Sequence, residues 1–276
     1  MSDALKSSGA EFWDENPCGG TWRSYREYTN WIRETEPYIF RILEQFDWNG
    51  VRTLEVGCGQ GATLNYLAEH GARMIGIDMS EVSLLGARAG ARELGVSENV
   101  RLARADAEHL PFAEGSFDRV ISIGVLHHTP DIAGAIEEIR RALRPGGTAI
   151  IMLYRTGNPK WWATRTARGI SRMVDAVAGK RYAIADRIRR RRETNSLAGT
   201  ALLELFGVPT LRAYSNRRVR AMFRHFSSVR ITNHEPGFRR LPDIARFLHP
   251  LKPLFRSLDA VSRRVWGFYQ VIELTR

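Results

Sequence analysis

The sequence predicts an α/β protein built on a mostly parallel sheet with helices on both faces. Three observations lead to this fold class. Short apolar segments alternate with helix-length segments between residues 49 and 154. The apolar segments are nearly continuous, as is typical of strands buried on both faces. A glycine-rich turn at 57–61 separates the first strand from the first helix.

The alternation predicts five strands and three helices in order. The strands are VRTLEVG (51–57), RMIGID (73–78), VRLARAD (100–106), FDRVISI (117–123) and TAIIMLY (148–154). The helices are predicted at 61–70, 81–94 and 131–143, and the first two end at Gly71 and Gly95. Strands separated by helices of this length pair in parallel.

Segments of different character flank this core, within what we predict to be one structural domain. Residues 1–48 are predicted to form an aromatic and helical lid whose first ten residues are disordered, and 49–154 form the core. Residues 155–213 are predicted as a helical cap inserted after the fifth strand. Residues 214–276 complete the sheet with VRITNHE (229–235) and WGFYQVIELT (266–275), which are separated by a proline-containing insertion, 236–265.

Composition excludes some classes of protein. The 276 residues are 43% apolar and include only two cysteines, which argues against a disulfide framework and for a reducing compartment. No apolar run approaches membrane-spanning length and no signal-peptide pattern opens the chain. We therefore expect a cytoplasmic protein without a membrane span.

Charge is distributed unevenly along the chain. Residues 1–154 carry 15 Lys and Arg against 22 Asp and Glu, whereas residues 155–276 carry 26 against 8. The basic second half is consistent with an anionic partner, or with solvated helices that have no such partner.

The glycine turn by itself leaves the cofactor open. Gly57, Gly59 and Ala62 satisfy a dinucleotide-binding pattern, and Asp78 lies where a ribose-binding acid is expected, so NAD(P) is one alternative. Glu55 precedes the turn, however, and a carboxylate there suits a cationic ligand better than a pyrophosphate. With Asp106 after the third strand, three acids are expected along one sheet edge, which suits a cationic, hydroxyl-rich cofactor carrying adenine.

The stretch that carries these residues resembles the class I S-adenosylmethionine-dependent methyltransferases. It is most similar to their small-molecule branch, which includes proteins like the ubiquinone and menaquinone methyltransferases. The resemblance implies a Rossmann-like sheet of seven strands with an antiparallel last strand, S-adenosylmethionine as cofactor and no metal. It also implies a cofactor-binding role for ten residues. They are Glu55, Gly57, Gly59 and Gly61 at the methionine part, Asp78 and Met79 at the ribose and adenine, Asp106 and Ala107 at the adenine, and Ser122 and Ile123 under the sulfonium.

The acceptor is expected beyond the carboxyl ends of the strands, between the lid and the cap. His127 and Tyr154 are the candidate catalytic residues, because His127 follows the fourth strand and Tyr154 ends the fifth, both at this edge. An aromatic pocket wall is predicted from Trp13, Trp22, Tyr25, Tyr28, His127, His128, Trp161, Trp162, Phe206 and Tyr214. Such a pocket suits a hydrophobic or aromatic small molecule, which can also be anionic. The long insertion between the last two strands departs from the family pattern and leaves the outer edge of the site undefined.

Two other functions stay open. The basic half makes an RNA or tRNA methyltransferase the first alternative, which is not favoured because no Asn/Asp-Pro-Pro-aromatic motif follows the fourth strand and no RNA-binding module is recognisable. A non-catalytic protein that binds S-adenosylmethionine is the second alternative. The sequence does not identify the acceptor atom.

Overall fold

A computed structural model describes residues 2–20, 22, 24–179, 184, 206–235 and 250–276. Its strands are β1 (Arg52–Val56), β2 (Arg73–Asp78), β3 (Val100–Arg104), β4 (Phe117–Ile123), β5 (Leu143–Tyr154), β6 (Ser228–His234) and β7 (Tyr269–Thr275). Its helices are α1 (Ser2–Glu15), α2 (Tyr25–Thr35), α3 (Pro37–Leu43), α4 (Ala62–Glu69), α5 (Glu81–Glu93), α6 (Ile132–Ala142), α7 (Pro159–Ala178), α8 (Asn216–Met222) and α9 (Lys252–Trp266).

The strands form one seven-stranded sheet in the order β3-β2-β1-β4-β5-β7-β6. The first five strands pair in parallel. Strand β7 lies antiparallel between β5 and β6, with Ile151 opposite Ile272. The predicted fold class, including the antiparallel last strand, is confirmed. This topology brings the carboxyl ends of β1, β2 and β4 to the same edge of the sheet.

Each face of the sheet carries its own hydrophobic core. Ile150 and Met152 of β5 pack on the face that also holds α2, α3 and α4, whereas Ile151 and Leu153 pack on the opposite face with α6 and α8. All four side chains are almost fully buried. Burial on both faces explains why the strand sequences are continuously apolar.

The prediction that the first ten residues are disordered is wrong. Residues 2–10 belong to α1, which packs against α5. Ala10 and Phe12 are buried, and the Ser80 hydroxyl donates to the Trp13 carbonyl over 3.3 Å. The local sequence is polar and weakly patterned, so the helix depends on tertiary contacts, which override local propensity.

The two predicted insertions are described only in part. Within 155–213, the structure shows α7 and the segment 206–213, and the rest of the predicted cap lies largely outside the described residues. Within 236–265, the segment 236–249 also lies outside them, and the remainder is mostly α9, which packs against β6. None of the helices in the described ranges is both long and apolar enough to cross a bilayer.

Candidate active site

A cavity lies beyond the carboxyl ends of β1, β2 and β4, where α1 and α2 cover the sheet edge. Most of the residues predicted to bind a cofactor line it, together with part of the predicted aromatic wall. These residues are Trp13, Tyr28, Glu55, Gly57, Gly59, Asp78, Met79, Asp106, Ala107, Ile123 and His128. The structure therefore brings together groups that are up to 115 positions apart in the chain.

Other predicted residues support this cavity from outside its lining. Ser122 is fully buried, and its hydroxyl donates to the Val56 carbonyl over 3.0 Å, which ties β4 to β1. The Tyr25 hydroxyl donates to the carbonyl of Gly61 under the glycine turn. Trp22 packs against Tyr28 on α2. These contacts hold the shape of the site.

The four aromatic residues predicted from the cap and from the position just after it do not line the cavity. Trp161 is buried at the start of α7, whereas Trp162 beside it is 59% exposed. The backbone of Tyr214 is bound to the end of β5, where its N–H donates a hydrogen bond to the Tyr154 carbonyl over 2.9 Å. Phe206 is half-buried. None of these four side chains belongs to the described lining of the cavity.

The three glycines of the turn have different structural tasks. All have positive φ, at +72° for Gly57, +53° for Gly59 and +82° for Gly61. A Cβ on Gly57 would lie 2.3 Å from Val125 Cγ2, and one on Gly61 would lie 2.9 Å from Ala87 Cβ. A Cβ on Gly59 would meet no protein atom within 4 Å. Gly59 therefore leaves open space at the cavity, where a ligand can approach the backbone.

We expect alanine at these glycines to separate stability from ligand binding. Gly57→Ala should lower the free energy of unfolding by about 2–4 kcal/mol, because a strained φ is combined with overlap on Val125. Gly59→Ala should cost only about 1 kcal/mol of stability while weakening S-adenosylmethionine binding, because the new methyl group enters the cavity.

Urea denaturation and calorimetry measure the two effects. Gly146→Ala is a matched control, because Gly146 has φ +74°, an open Cβ position and no place in the cavity lining. Equal losses of stability in Gly57→Ala and Gly146→Ala would contradict the assigned role of Val125.

Asp78 lies at the end of β2 and holds the glycine turn. Its Oδ2 accepts from the Gly59 N–H over 2.8 Å, and its Oδ1 accepts from the Ser80 N–H over 2.9 Å. Burial raises the pKa of this carboxyl, and the two N–H donors oppose that rise. Each oxygen has further lone pairs, so the carboxylate can also accept hydrogen bonds from the hydroxyl groups of a ligand.

Glu55 places a buried carboxyl at the bottom of the cavity. One oxygen accepts from the Thr63 hydroxyl, and Oε2 has no partner within the described structure. Burial raises the pKa of Glu55 to about 8, the Thr63 bond lowers it, and the negative charge of Asp78 adds to the rise. A buried carboxyl without a counter-charge is costly, so this site favours a cation. Thr63, the second residue of α4, was not singled out by the sequence.

Asp106 is paired with Lys6, which the sequence analysis missed. The Lys6 ammonium lies 2.6 Å from Asp106 Oδ2 and 2.5 Å from Glu108 Oε2. Burial tends to lower the pKa of Lys6, but the bonds to the two carboxylates raise it overall. The pairing fastens α1 over this end of the cavity. No local motif marks Lys6, because its partners lie about 100 residues away.

The two histidines after β4 occupy different positions. His128 lines the cavity, and its Nδ1 is 2.8 Å from the Thr210 carbonyl oxygen. His127 is fully buried and stacks on Tyr154 with 3.9 Å between ring centroids. Burial holds the pKa of His127 well below its usual value, so the ring is neutral at ordinary pH. A direct catalytic role for His127 or Tyr154 stays a prediction, since neither lines the described cavity.

Comparison with known proteins gives an independent description of the core. Residues 54–151 match the model of a family described as a methyltransferase domain. The chain is 41% identical over 113 residues to methyltransferase GfsG of Streptomyces halstedii, which covers 40% of this chain and 41% of the relative. It is 37% identical over 121 residues to ubiquinone biosynthesis O-methyltransferase of Pseudomonas aeruginosa, covering 43% of this chain and 50% of that one. The chain thus spans half or less of the length of these two relatives.

Solved structures share the fold at low sequence identity. One is phosphoethanolamine N-methyltransferase 2 of Haemonchus contortus, crystallised with phosphomonomethylethanolamine and S-adenosylhomocysteine. The superposition has a TM-score of 0.54 and 20% identity, and covers 87% of this chain and 52% of that chain. This likeness supports the fold assignment.

Proposed function

We propose that this chain, whose residues 54–151 match a methyltransferase domain, is a class I S-adenosylmethionine-dependent methyltransferase that transfers a methyl group to a small-molecule acceptor. One observation carries the proposal: Glu55, Asp78 and Asp106 converge on a single cavity next to the open backbone of Gly59. The unpartnered Glu55 oxygen fits a ligand that carries positive charge.

The residues of this chain divide the binding task. Glu55 and the glycine turn would hold the cationic methionine part, and Asp78 would accept the ribose hydroxyls. Met79 and Ala107 would pack on the adenine, and Asp106 would accept from the adenine amine while its other contacts keep α1 closed. When bound, S-adenosylmethionine supplies a methyl group already activated on a sulfonium.

The protein would contribute alignment and exclusion of water. Helix α1 covers the sheet edge with Leu5 and Trp13, and α2 adds Tyr28 and Ile32 to the lining. These apolar side chains favour a hydrophobic or aromatic acceptor. The name of the relative in ubiquinone biosynthesis is consistent with such an acceptor.

His128 is the imidazole that borders this space, and His127 supports it from behind. Their ring centroids are 4.3 Å apart, and Tyr154 stacks on His127 with 3.9 Å between centroids. We propose that His128 orients the acceptor or receives its proton. An imidazole can perform either task, because its ring nitrogens can donate or accept a hydrogen bond.

Methyl-labelled S-adenosylmethionine tests the proposal directly. The protein is incubated with a metabolite extract, and the organic, aqueous and RNA fractions are analysed by mass spectrometry. We expect label in an organic-soluble small molecule, and none when Asp78→Ala replaces the native chain. Label confined to RNA would favour the nucleic-acid alternative. Tight cofactor binding without label in any fraction would favour a non-catalytic protein.

A further inference from the structure

We propose that α7 and α9 form a surface that docks on an anionic lipid bilayer without crossing it. This inference does not depend on methyl transfer. It starts from two helices that expose apolar side chains in a regular pattern while the chain around them is strongly basic.

Helix α9 and the residue before it carry an exposed apolar stripe. The spacing alternates between three and four residues, which places the members on one face of a helix. The exposed side chains are Leu251 (46%), Leu254 (54%), Leu258 (44%), Val261 (81%) and Val265 (62%). Exposed apolar surface of this extent is typical of an interaction site rather than of a solvated helix.

Helix α7 presents a similar face. Within it only Trp161 and Ser171 are buried. Its exposed apolar side chains are Trp162 (59%), Ile170 (55%), Met173 (70%), Val174 (39%) and Val177 (91%). The Arg165 guanidinium lies 5.5 Å from the centroid of the Trp162 ring. A tryptophan beside an arginine is a common pair at the interface between lipid and water.

The two helices meet end to end at Asn158. The Asn158 side-chain N–H donates to the Trp266 backbone carbonyl at the end of α9. The backbone carbonyl of Asn158 accepts a hydrogen bond from the Trp162 N–H over 3.2 Å. Arg155 also donates to the Val265 carbonyl over 2.5 Å. Two exposed tryptophans, Trp162 and Trp266, therefore flank one junction. This junction follows directly after β5, whose carboxyl end lies at the edge of the sheet that carries the cavity.

Charge selects the bilayer among possible partners. Residues 155–276 contain 26 Lys and Arg against 8 Asp and Glu, and α7 and α9 each contain four basic residues and one acid. A bilayer with anionic headgroups complements both the basic and the apolar residues. A second copy of the chain would bring equal positive charges together. RNA would satisfy the arginines but would leave the aliphatic stripes exposed.

Vesicle co-sedimentation tests the proposal with the full chain. We expect the protein to sediment with vesicles of phosphatidylcholine and phosphatidylglycerol, and much less with phosphatidylcholine alone. Val261→Asp on α9 and Val177→Asp on α7 should each weaken binding about tenfold, because an apolar side chain that enters the bilayer is lost. Both positions are exposed, so the variants should keep the melting temperature of the native chain.

Leu85→Asp on α5 is the matched control, because Leu85 is 53% exposed and lies on a different helix. It should bind vesicles like the native chain. Equal binding of all variants, or no binding to anionic vesicles, would overturn the proposal. Binding to poly(U) but not to vesicles would assign the surface to nucleic acid. A dimer in light scattering that Val261→Asp dissociates, without vesicle binding, would assign it to a second copy of the chain.

Discussion

Asp78→Ala is expected to weaken S-adenosylmethionine binding by about 100-fold or more. The carboxylate would accept two ribose hydroxyls, and each hydrogen bond to a charged group contributes about 1.5–3 kcal/mol. The substitution also removes the acceptor that holds the Gly59 N–H at 2.8 Å, so the glycine turn loses its alignment. Titration calorimetry with S-adenosylmethionine and S-adenosylhomocysteine measures the loss.

Asp118→Ala provides the matched control for this experiment. Asp118 is also a half-buried aspartate of the sheet, but it lies at the start of β4, where it pairs with Arg144 over 2.6 Å. Its removal should leave cofactor affinity unchanged. Asp78→Asn should give an intermediate affinity, since the amide oxygen still accepts hydrogen bonds but carries no charge. Unchanged affinity in Asp78→Ala would remove the basis of the proposed site.

The stability of the ligand-free protein is expected to fall by about 2 kcal/mol between pH 6.5 and 8 because of Glu55. Burial raises the pKa of Glu55 from 4.5 to about 8, so in this range the folded chain retains a proton that the unfolded chain has released. The contribution of a group with a raised pKa is complete below its unfolded pKa and is lost as pH rises toward 8. Urea denaturation at several pH values measures the slope.

Two other buried groups with shifted pKa values also contribute to the pH dependence of stability. Burial lowers the pKa of His127, which opposes the Glu55 effect below about pH 6.5. Burial also raises the pKa of Asp78, which adds an effect of the same sign. Comparison with Glu55→Gln is therefore needed to isolate the Glu55 contribution between pH 6.5 and 8.

Glu55→Gln should flatten this slope, because glutamine does not titrate. A bound cation should favour the ionised carboxylate, so cofactor binding near pH 7 should release protons. Calorimetry in buffers of different ionisation enthalpy detects that release. A native slope that Glu55→Gln leaves unchanged would show that another group carries the pH dependence.

The order of strands and helices in the core was predictable because it depends on local patterns. Continuous apolar runs, glycines that close helices and the 57–61 turn are all visible within short windows. Acids at strand ends converge because parallel strands place their carboxyl ends at one edge. For this reason Glu55, Asp78 and Asp106 were found without coordinates, and all three line the cavity.

The lid was less predictable because it is held by contacts distant in sequence. Helix α1 is stabilised by packing on α5 and by Lys6, whose partners are Asp106 and Glu108. Nothing in the first ten residues indicates these partners. The choice between the adjacent histidines has the same origin, since His127 packs against Tyr154, which is distant in sequence.

The sequence by itself determined the fold class and the acids at the sheet edge, since both follow from residue chemistry at short spacing, and the cofactor followed from the family resemblance that these residues carry. Only the tertiary structure decided which side chains reach the cavity, that α1 closes it, and that α7 and α9 leave apolar faces in contact with solvent. The physical reason is that burial and pairing are properties of neighbours in space. A local sequence pattern does not specify which residues become neighbours when they lie about a hundred positions apart, as Lys6 and Asp106 do.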